Sequence, residues 1–410
     1  QKPDILYTYL TMRYTMKYIM IAFLVLFSTV SNAQVKNYGA EIPWKADPNQ
    51  KTLEHYLDKY LYWNVGNNAR IEIKANVFYT KWLDDKDATT DKVVTKEMSK
   101  KNIGLLSYMK YDNGKITINQ KNDKFNLPEH VRWHSQSVGK SIISYVTGHA
   151  ICKGYIDNGI NHIVTMPMIE NTLYNNQKLI DLLNMNAGDQ KYVNMSGFVN
   201  SKKYFGEYKG INWPTIENTM DKVFENTSMS KQKYNYNNLV PNLVFTYVAY
   251  KTGEDFDDLL QSFFVNKVGI EHDVYFVKQE EASKRDLSYW YYFFGSKNDY
   301  MRIAIAMLDD WNNNTCEGQY LKSLYDNKLN KKNNQQYNNN KTCICALSTH
   351  YAGQFHTNLP GARNRAMFLM DGYGGNSTVI DFENNKILSV LSIHRNYNWK
   401  KIIQKEYKSW

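Results

Sequence analysis

The sequence has no apolar run of the ~20 residues that a membrane-spanning helix needs. It also has no Lys/Arg block, no internal repeat and few cysteines. The formal charge is +10 and the pI about 9.0 over 410 residues, yet the lysines are scattered. Without a basic face or run there is nothing to grip a phosphate backbone, so a nucleic-acid partner is not expected. The four cysteines, Cys152, Cys316, Cys343 and Cys345, are not spaced as zinc ligands and lack a nearby His pair. No metal or organic cofactor is therefore implied. No Gly-x-Ser-x-Gly elbow occurs, and no His follows a nucleophile in triad order, which argues against a Ser-His-Asp hydrolase. Gly139-Lys140-Ser141 ends like a phosphate-binding P-loop, but His134 stands where that loop needs glycine.

What is present is the composition of a globular chain, 43% hydrophobic and 22% charged. Met16-Lys17, the apolar run from Ile19 to Phe27 and Ser31-Asn32-Ala33 form the basic, apolar and small-residue series of a secretory signal. Residues 1–33 are read as upstream residues and signal peptide, cleaved near Ala33. The expected product is periplasmic or secreted, without stable membrane insertion. In an oxidising compartment a disulfide from Cys316 to Cys343 or Cys345 is expected. Cys152, late in a predicted helix, reads as a small buried apolar residue.

Residues 34–102 are unpatterned and read as an N-terminal extension. From residue 103 the pattern sharpens. Leu105 to Tyr111 and Lys115 to Ile118 flank Asp112-Asn113-Gly114, which predicts a hairpin. Ile143, Val146, Ala150 and Ile151 recur at helical spacing until Gly154. Further helical segments are predicted at Leu179 to Met185, Leu239 to Tyr250 and Tyr300 to Trp311, and an Asn/Gln/Lys-rich surface loop at 331–341. Strands return at Ala366 to Met370, Ser377 to Phe382 and Lys386 to Ile393. Strands at both ends with helices between predict an α+β fold whose sheet is closed by distant parts of the chain.

Ser137-Val138-Gly139-Lys140 is a Ser-x-x-Lys motif at the head of the strongest apolar helix. Residues three apart share a helix face, so the amine reaches the hydroxyl. A serine needs an adjacent base, and a lysine serves once burial lowers its pKa. Ser107/Lys110, Ser228/Lys231 and Ser230/Lys233 share the spacing without heading such a helix. The alternative for Ser137 and Lys140 is a helix-capping serine beside a surface lysine.

The segment from His134 to Ser141, running into Gly148 to Ile156, resembles the nucleophile helix of β-lactamase-family serine hydrolases. Those include class C β-lactamases, D-Ala-D-Ala peptidases, related esterases and aminohexanoate-oligomer hydrolases. Leu182 to Gly188 resembles that family's Leu-Leu-x-Met-x-Ser-Gly segment, with Ala187 in place of serine. Asp299-Tyr300-Met301-Arg302 resembles a recurrent helical element. Several Tyr-x-Asn triplets follow Ser137, but only Tyr236-Asn237-Asn238 leads into an apolar helix and Thr252-Gly253. The resemblance covers roughly residues 103 to 395.

It implies a β-lactamase/transpeptidase-like fold over 103–410: an antiparallel sheet, flanking helices and an all-helical insert at about 157–310. It also implies that Tyr236 relays protons and that Asn238 positions Lys140 or a substrate amide. Tyr373-Gly374-Gly375-Asn376 is its counterpart to the strand motif that completes the oxyanion hole, with Tyr373, Gly375 and Asn376 as contacts. Tyr373 brings no positive charge, which favours esterase or amidase action on a small ester or amide. The alternatives are a β-lactamase or D-Ala-D-Ala carboxypeptidase, and a non-catalytic binding module. Arg395 is a second candidate for a carboxylate contact, and His134, His350 and His356 are candidate cleft residues. Oligomeric state is not legible.

Overall fold

An Asn-Gly turn sets the register of the first hairpin. Asn113 and Gly114 take φ of 45° and 96°, the left-handed backbone a two-residue hairpin loop requires, and Asp112 then pairs with Lys115. The computed structural model describes Leu57 and residues 69–101, 103–194, 197–198, 215–278, 288–331, 344–393 and 399–410. The signal segment, Cys343, Arg395 and most of the Asn-rich loop lie outside the described residues. All described residues belong to one compact unit, Trp44–Trp410.

Twelve strands build two antiparallel sheets. In chain order they are β1 (Arg70–Ile73), β2 (Leu105–Asp112), β3 (Lys115–Lys121), β4 (Trp133–His134), β5 (Val274–Lys278), β6 (Tyr289–Gly295), β7 (Leu329–Asn330), β8 (His350–Ala352), β9 (Phe355–Thr357), β10 (Met367–Gly372), β11 (Asn376–Asp381) and β12 (Lys386–Ser392). The larger sheet has the order β7-β8-β9-β10-β11-β12-β2-β3 and the smaller β1-β5-β6-β4. The early hairpin is thus sealed to the last strand, as the α+β expectation requires. Short ribbons pair Ile163–Val164 with Gln177–Lys178, and Val193–Asn194 with Gly197–Phe198.

The longer helices are α1 (Val138–Cys152), α2 (Leu239–Thr252), α3 (Lys297–Asn313), α4 (Cys316–Asp326) and α5 (Trp399–Ser409). The large sheet is covered on both faces by helices, among them α1, α3 and α5, while α2 packs on α1 and β6. Alternation along β2 turns Lys110 towards Glu406 of α5 and Tyr111 towards Asp309 of α3. Both alternating sets of β2 are buried from Leu105 to Met109, the pattern of a strand with no solvent face.

Two expectations are corrected. The region 157–310 is not all helical: β5 and β6 lie inside it, built from Val274-Tyr-Phe-Val and the aromatic run Tyr289 to Phe294, residue types that suit a pleated sheet. Residues 69–101 are not a separate extension either, because β1 pairs along β5 and Thr89 bridges to Ile118 of β3. The cysteine expectation fails too. Cys316 bonds Cys152, with Cα atoms 5.8 Å apart. The cause is helix packing: Gly148 lets the Tyr320 ring lie where a Cβ would be 2.4 Å away, which sets α4 alongside α1 and brings Cys316 to Cys152. Cys345 is also disulfide-bonded.

Gly139, the third residue of Ser-x-x-Lys, is required by close approach. A Cβ there would lie 1.9 Å from the Tyr291 carbonyl oxygen and 2.7 Å from Ser135 Oγ, so α1 crosses β6 at backbone distance. Overpacking of this kind costs about 1–3 kcal/mol or more. Gly139→Ala is expected to lower the unfolding free energy by at least about 2 kcal/mol in urea titration; an unchanged midpoint would mean that α1 and β6 are not so close.

Candidate active site

The site forms where the N-termini of α1 and α2 converge on one lysine. Ser137 is the N-cap of α1 and Asn238 the N-cap of α2, yet neither side chain caps its helix. Both turn to Lys140 instead. Its Nζ donates to Ser137 Oγ at 2.8 Å and to Asn238 Oδ1 at 2.9 Å. Lys140 is only 1% exposed, so the reading of a capping serine beside a surface lysine does not hold. The cap of α2 is supplied by Asn237, whose Oδ1 accepts from the N–H groups of Leu239 and Val240, each at 3.0 Å.

Tyr236 is buried beside the ammonium, its ring centre 4.9 Å from Lys140 Nζ. Tyr291 of β6, which sequence reasoning missed, is closer: its ring centre lies 3.8 Å from Nζ and its hydroxyl donates to Asn238 Oδ1 at 2.9 Å. Gly139 is what allows this, since it brings the β6 backbone at Tyr291 against α1. The aromatic strand Tyr289 to Phe294 was the available signal, but no local rule aims one of its rings at a lysine 151 positions earlier. Burial lowers the Lys140 pKa well below the usual lysine range; the aromatic faces and the amide oxygen favour the cation, but desolvation outweighs them. Two helix N-termini, both positive dipole ends, act in the same direction as burial.

The turn before Ser137 is held in an unusual backbone. Gln136 has φ 50°, and its N–H donates to His134 Nδ1 at 2.7 Å. Ser135 is pinned to β6 by two bonds to Phe293, its N–H donating at 2.8 Å and its Oγ accepting at 3.0 Å. A non-glycine residue in this region costs about 1–2 kcal/mol, sustained only by such anchoring.

Asp189 is a second residue missed from sequence. Its carboxylate accepts from Asn235 at 2.7 Å, Tyr174 at 3.0 Å and Asn237 at 3.1 Å, gripping the loop on both sides of Tyr236. The resemblance-bearing segment before it does the same work with backbone: Met185 O accepts from Asn235 N–H at 2.7 Å, and Gly188 O from Ser230 N–H at 2.9 Å. The other such segment, Asp299 to Arg302, is a tie between elements, for Arg302 reaches Asp299, Glu271 and the Lys81 carbonyl.

The strand motif is only partly at the site. Gly372 approaches the turn before Ser137, since a Cβ there would lie 2.8 Å from Ser135 O and 3.2 Å from Gln136 Cβ. Tyr373 follows it and is half-buried. Gly375 and Asn376, expected as oxyanion or substrate contacts, are committed elsewhere. The Gly375 N–H donates to Gly372 O at 3.2 Å. Asn376 Nδ2 donates to His134 O at 3.2 Å, and its Oδ1 accepts from Ser392 N–H at 2.9 Å. Closing the β10–β11 turn and tying it to β4 uses the polar groups a substrate would need. His350 bonds its neighbour Thr349 at 2.9 Å, whereas His356 lies beside Tyr236.

No family model and no curated protein matches the chain. Solved structures do. A Bacillus anthracis protein assigned as a 6-aminohexanoate-dimer hydrolase superposes with TM-score 0.53 at 14% identity, covering 83% of this chain and 89% of its own. A Bacteroides dorei protein assigned as a β-lactamase gives TM-score 0.56 at 12% identity, over 78% and 99%. A penicillin-binding protein from Bacillus halodurans gives 0.51 at 12% identity, over 78% and 99%. The chain therefore has the β-lactamase/transpeptidase-like α+β fold, and the chemistry rests on its own geometry.

Burial pushes the Asp189 pKa from 3.8 up to about 6. Between those values the folded state holds a proton the unfolded chain has lost, so this group favours folding at low pH and that contribution disappears as pH rises through 6. In Asp189→Asn the corresponding fall in unfolding free energy between pH 4 and 6.5 is expected to vanish, with Tyr236 released and Ser137 reactivity reduced about tenfold or more. Retention of the wild-type pH slope would contradict this placement.

Proposed function

We propose that the protein is an exported serine hydrolase that cleaves a small ester or amide through an acyl-Ser137 intermediate. The observation that carries this reading is the buried Lys140 amine in direct hydrogen bond with the Ser137 hydroxyl. A lysine at its ordinary pKa only donates. One held below that range by burial has a lone pair with which to take the serine proton.

In the acylation step Ser137 Oγ attacks the substrate carbonyl as its proton passes to Lys140 Nζ. The oxyanion is received by the N–H of Ser137 at the helix head and by the backbone of the Gly372-Tyr373 turn. Tyr236, beside the ammonium, hands a proton to the departing alcohol or amine and is reprotonated from Lys140. Water then attacks the acyl-serine with the same groups working in reverse. Asn238 and Tyr291 hold the amine in line with Oγ throughout.

A fluorophosphonate is expected to label Ser137, and Ser137→Ala to abolish labelling. Mass mapping of the modified peptide checks this, and stoichiometric modification at Ser228 or Ser230 would refute it. Tyr373 offers a phenol where a cation would hold a substrate carboxylate, and loss of a charge-assisted hydrogen bond costs about 1.5–3 kcal/mol. A p-nitrophenyl ester or an aminohexanoate dimer is therefore expected to turn over with at least tenfold higher kcat/KM than nitrocefin. The opposite ranking would place the protein with the β-lactamases.

A further inference from the structure

A second buried lysine stands next to this machinery. Lys331, at the end of β7, is 6% exposed. Its Nζ donates to the Cys345 carbonyl at 2.8 Å and to Ser348 Oγ at 2.6 Å, and lies 3.1 Å from His356 Nδ1. The His356 ring in turn stacks on Tyr236, 26° from parallel with centroids 6.3 Å apart. Tyr351 of β8 closes the cluster, edge-on to His356 at 5.0 Å and to Tyr236 at 6.2 Å. The hairpin carrying His356 is fastened to the nucleophile helix, because Ser141 Oγ donates to the Gln354 carbonyl at 2.7 Å.

A packed core at this place does not require an ammonium, since an apolar side chain buries at less cost. Building from the hydrolase reading above, we infer that Lys331 and His356 are positioning residues that set the proton affinities of Tyr236 and Lys140. The positive charge of Lys331, brought to the phenol's flank through the His356 ring, favours phenolate over phenol and free amine over ammonium. Burial and the charges of Lys331 and Lys140 hold His356 well below the usual imidazole range, so it remains neutral, accepts at Nδ1 and carries its proton on Nε2. The groups facing the pair are Lys140 from α1, Tyr236 from the loop before α2, Tyr351 from β8 and Asp371 from β10. Asp371 raises the Lys331 pKa against the burial that brings it down to about 7.

The test is the rate of Ser137 labelling by a fluorophosphonate as a function of pH, with thermal unfolding measured alongside. Lys331→Met is expected to move the acid limb of the profile up by roughly one pH unit and to slow labelling on that limb roughly tenfold. His356→Phe, which keeps the stacked ring and loses Nδ1, is expected to move it in the same direction. A folded Lys331→Met protein with the wild-type profile overturns the inference. If Lys331→Met fails to fold, the His356→Phe profile decides by the same criterion, and collapse of both makes the pair purely structural and also overturns it. Wild-type protein that is unlabelled at every pH sinks the hydrolase reading itself, an outcome distinct from an unshifted limb.

Discussion

Everything at this site depends on keeping one ammonium out of water. Lys140 has two partners that would otherwise cap helices, Ser137 of α1 and Asn238 of α2. Ser and Asn are among the best N-caps, and losing such a cap typically costs about 1 kcal/mol. Here neither side chain caps its own helix: Asn237 caps α2 in place of Asn238, and α1 begins without a side-chain cap. Both helix ends contribute positive potential, which is the environment that weakens a lysine's hold on its proton.

Holding that arrangement falls to groups packed around the Ser137–Lys140 pair. Gly139 permits α1 to touch β6 and so places the Tyr291 ring under Lys140. Asp189 grips Asn235 and Asn237 so that Tyr236 between them is presented inward. The strained Gln136 is tolerated because Ser135 is bonded to β6 on one side and His134 accepts from Gln136 itself on the other. The Cys152–Cys316 bond fixes the far end of α1, so this helix is tied down at both ends.

Much of the fold was legible because it obeys local rules. The Asn113-Gly114 turn, the apolar period of α1 with its stop near Gly154, and the late strands all carried their own signals. The Ser137/Lys140 pair was legible for the same reason, since three-residue spacing on a helix puts both on one face. Tyr236 was singled out from five similar triplets only by the helix following it. Tyr291, Asp189, Lys331 and His356 were not legible as a group, because their roles arise from long-range closure of two sheets around α1. Gly375 and Asn376, expected as contacts beside Tyr373, are instead bonded within the β10–β11 turn and to its neighbours. A glycine pair looks alike whether it lines a site or closes a turn, and only the pairing of Gly372 with Asn376 shows that it closes a turn.

Burial lowers the affinity of Lys140 for its proton. The direct measurement is the titration of its side-chain nitrogen by NMR in protein carrying 15N-labelled lysine, with Lys140→Arg used to assign the resonance. A midpoint well below the ordinary lysine value of 10.5 is expected, moving further when Ser137 is acylated. A Lys140 nitrogen that stays protonated until the ordinary lysine range would contradict it.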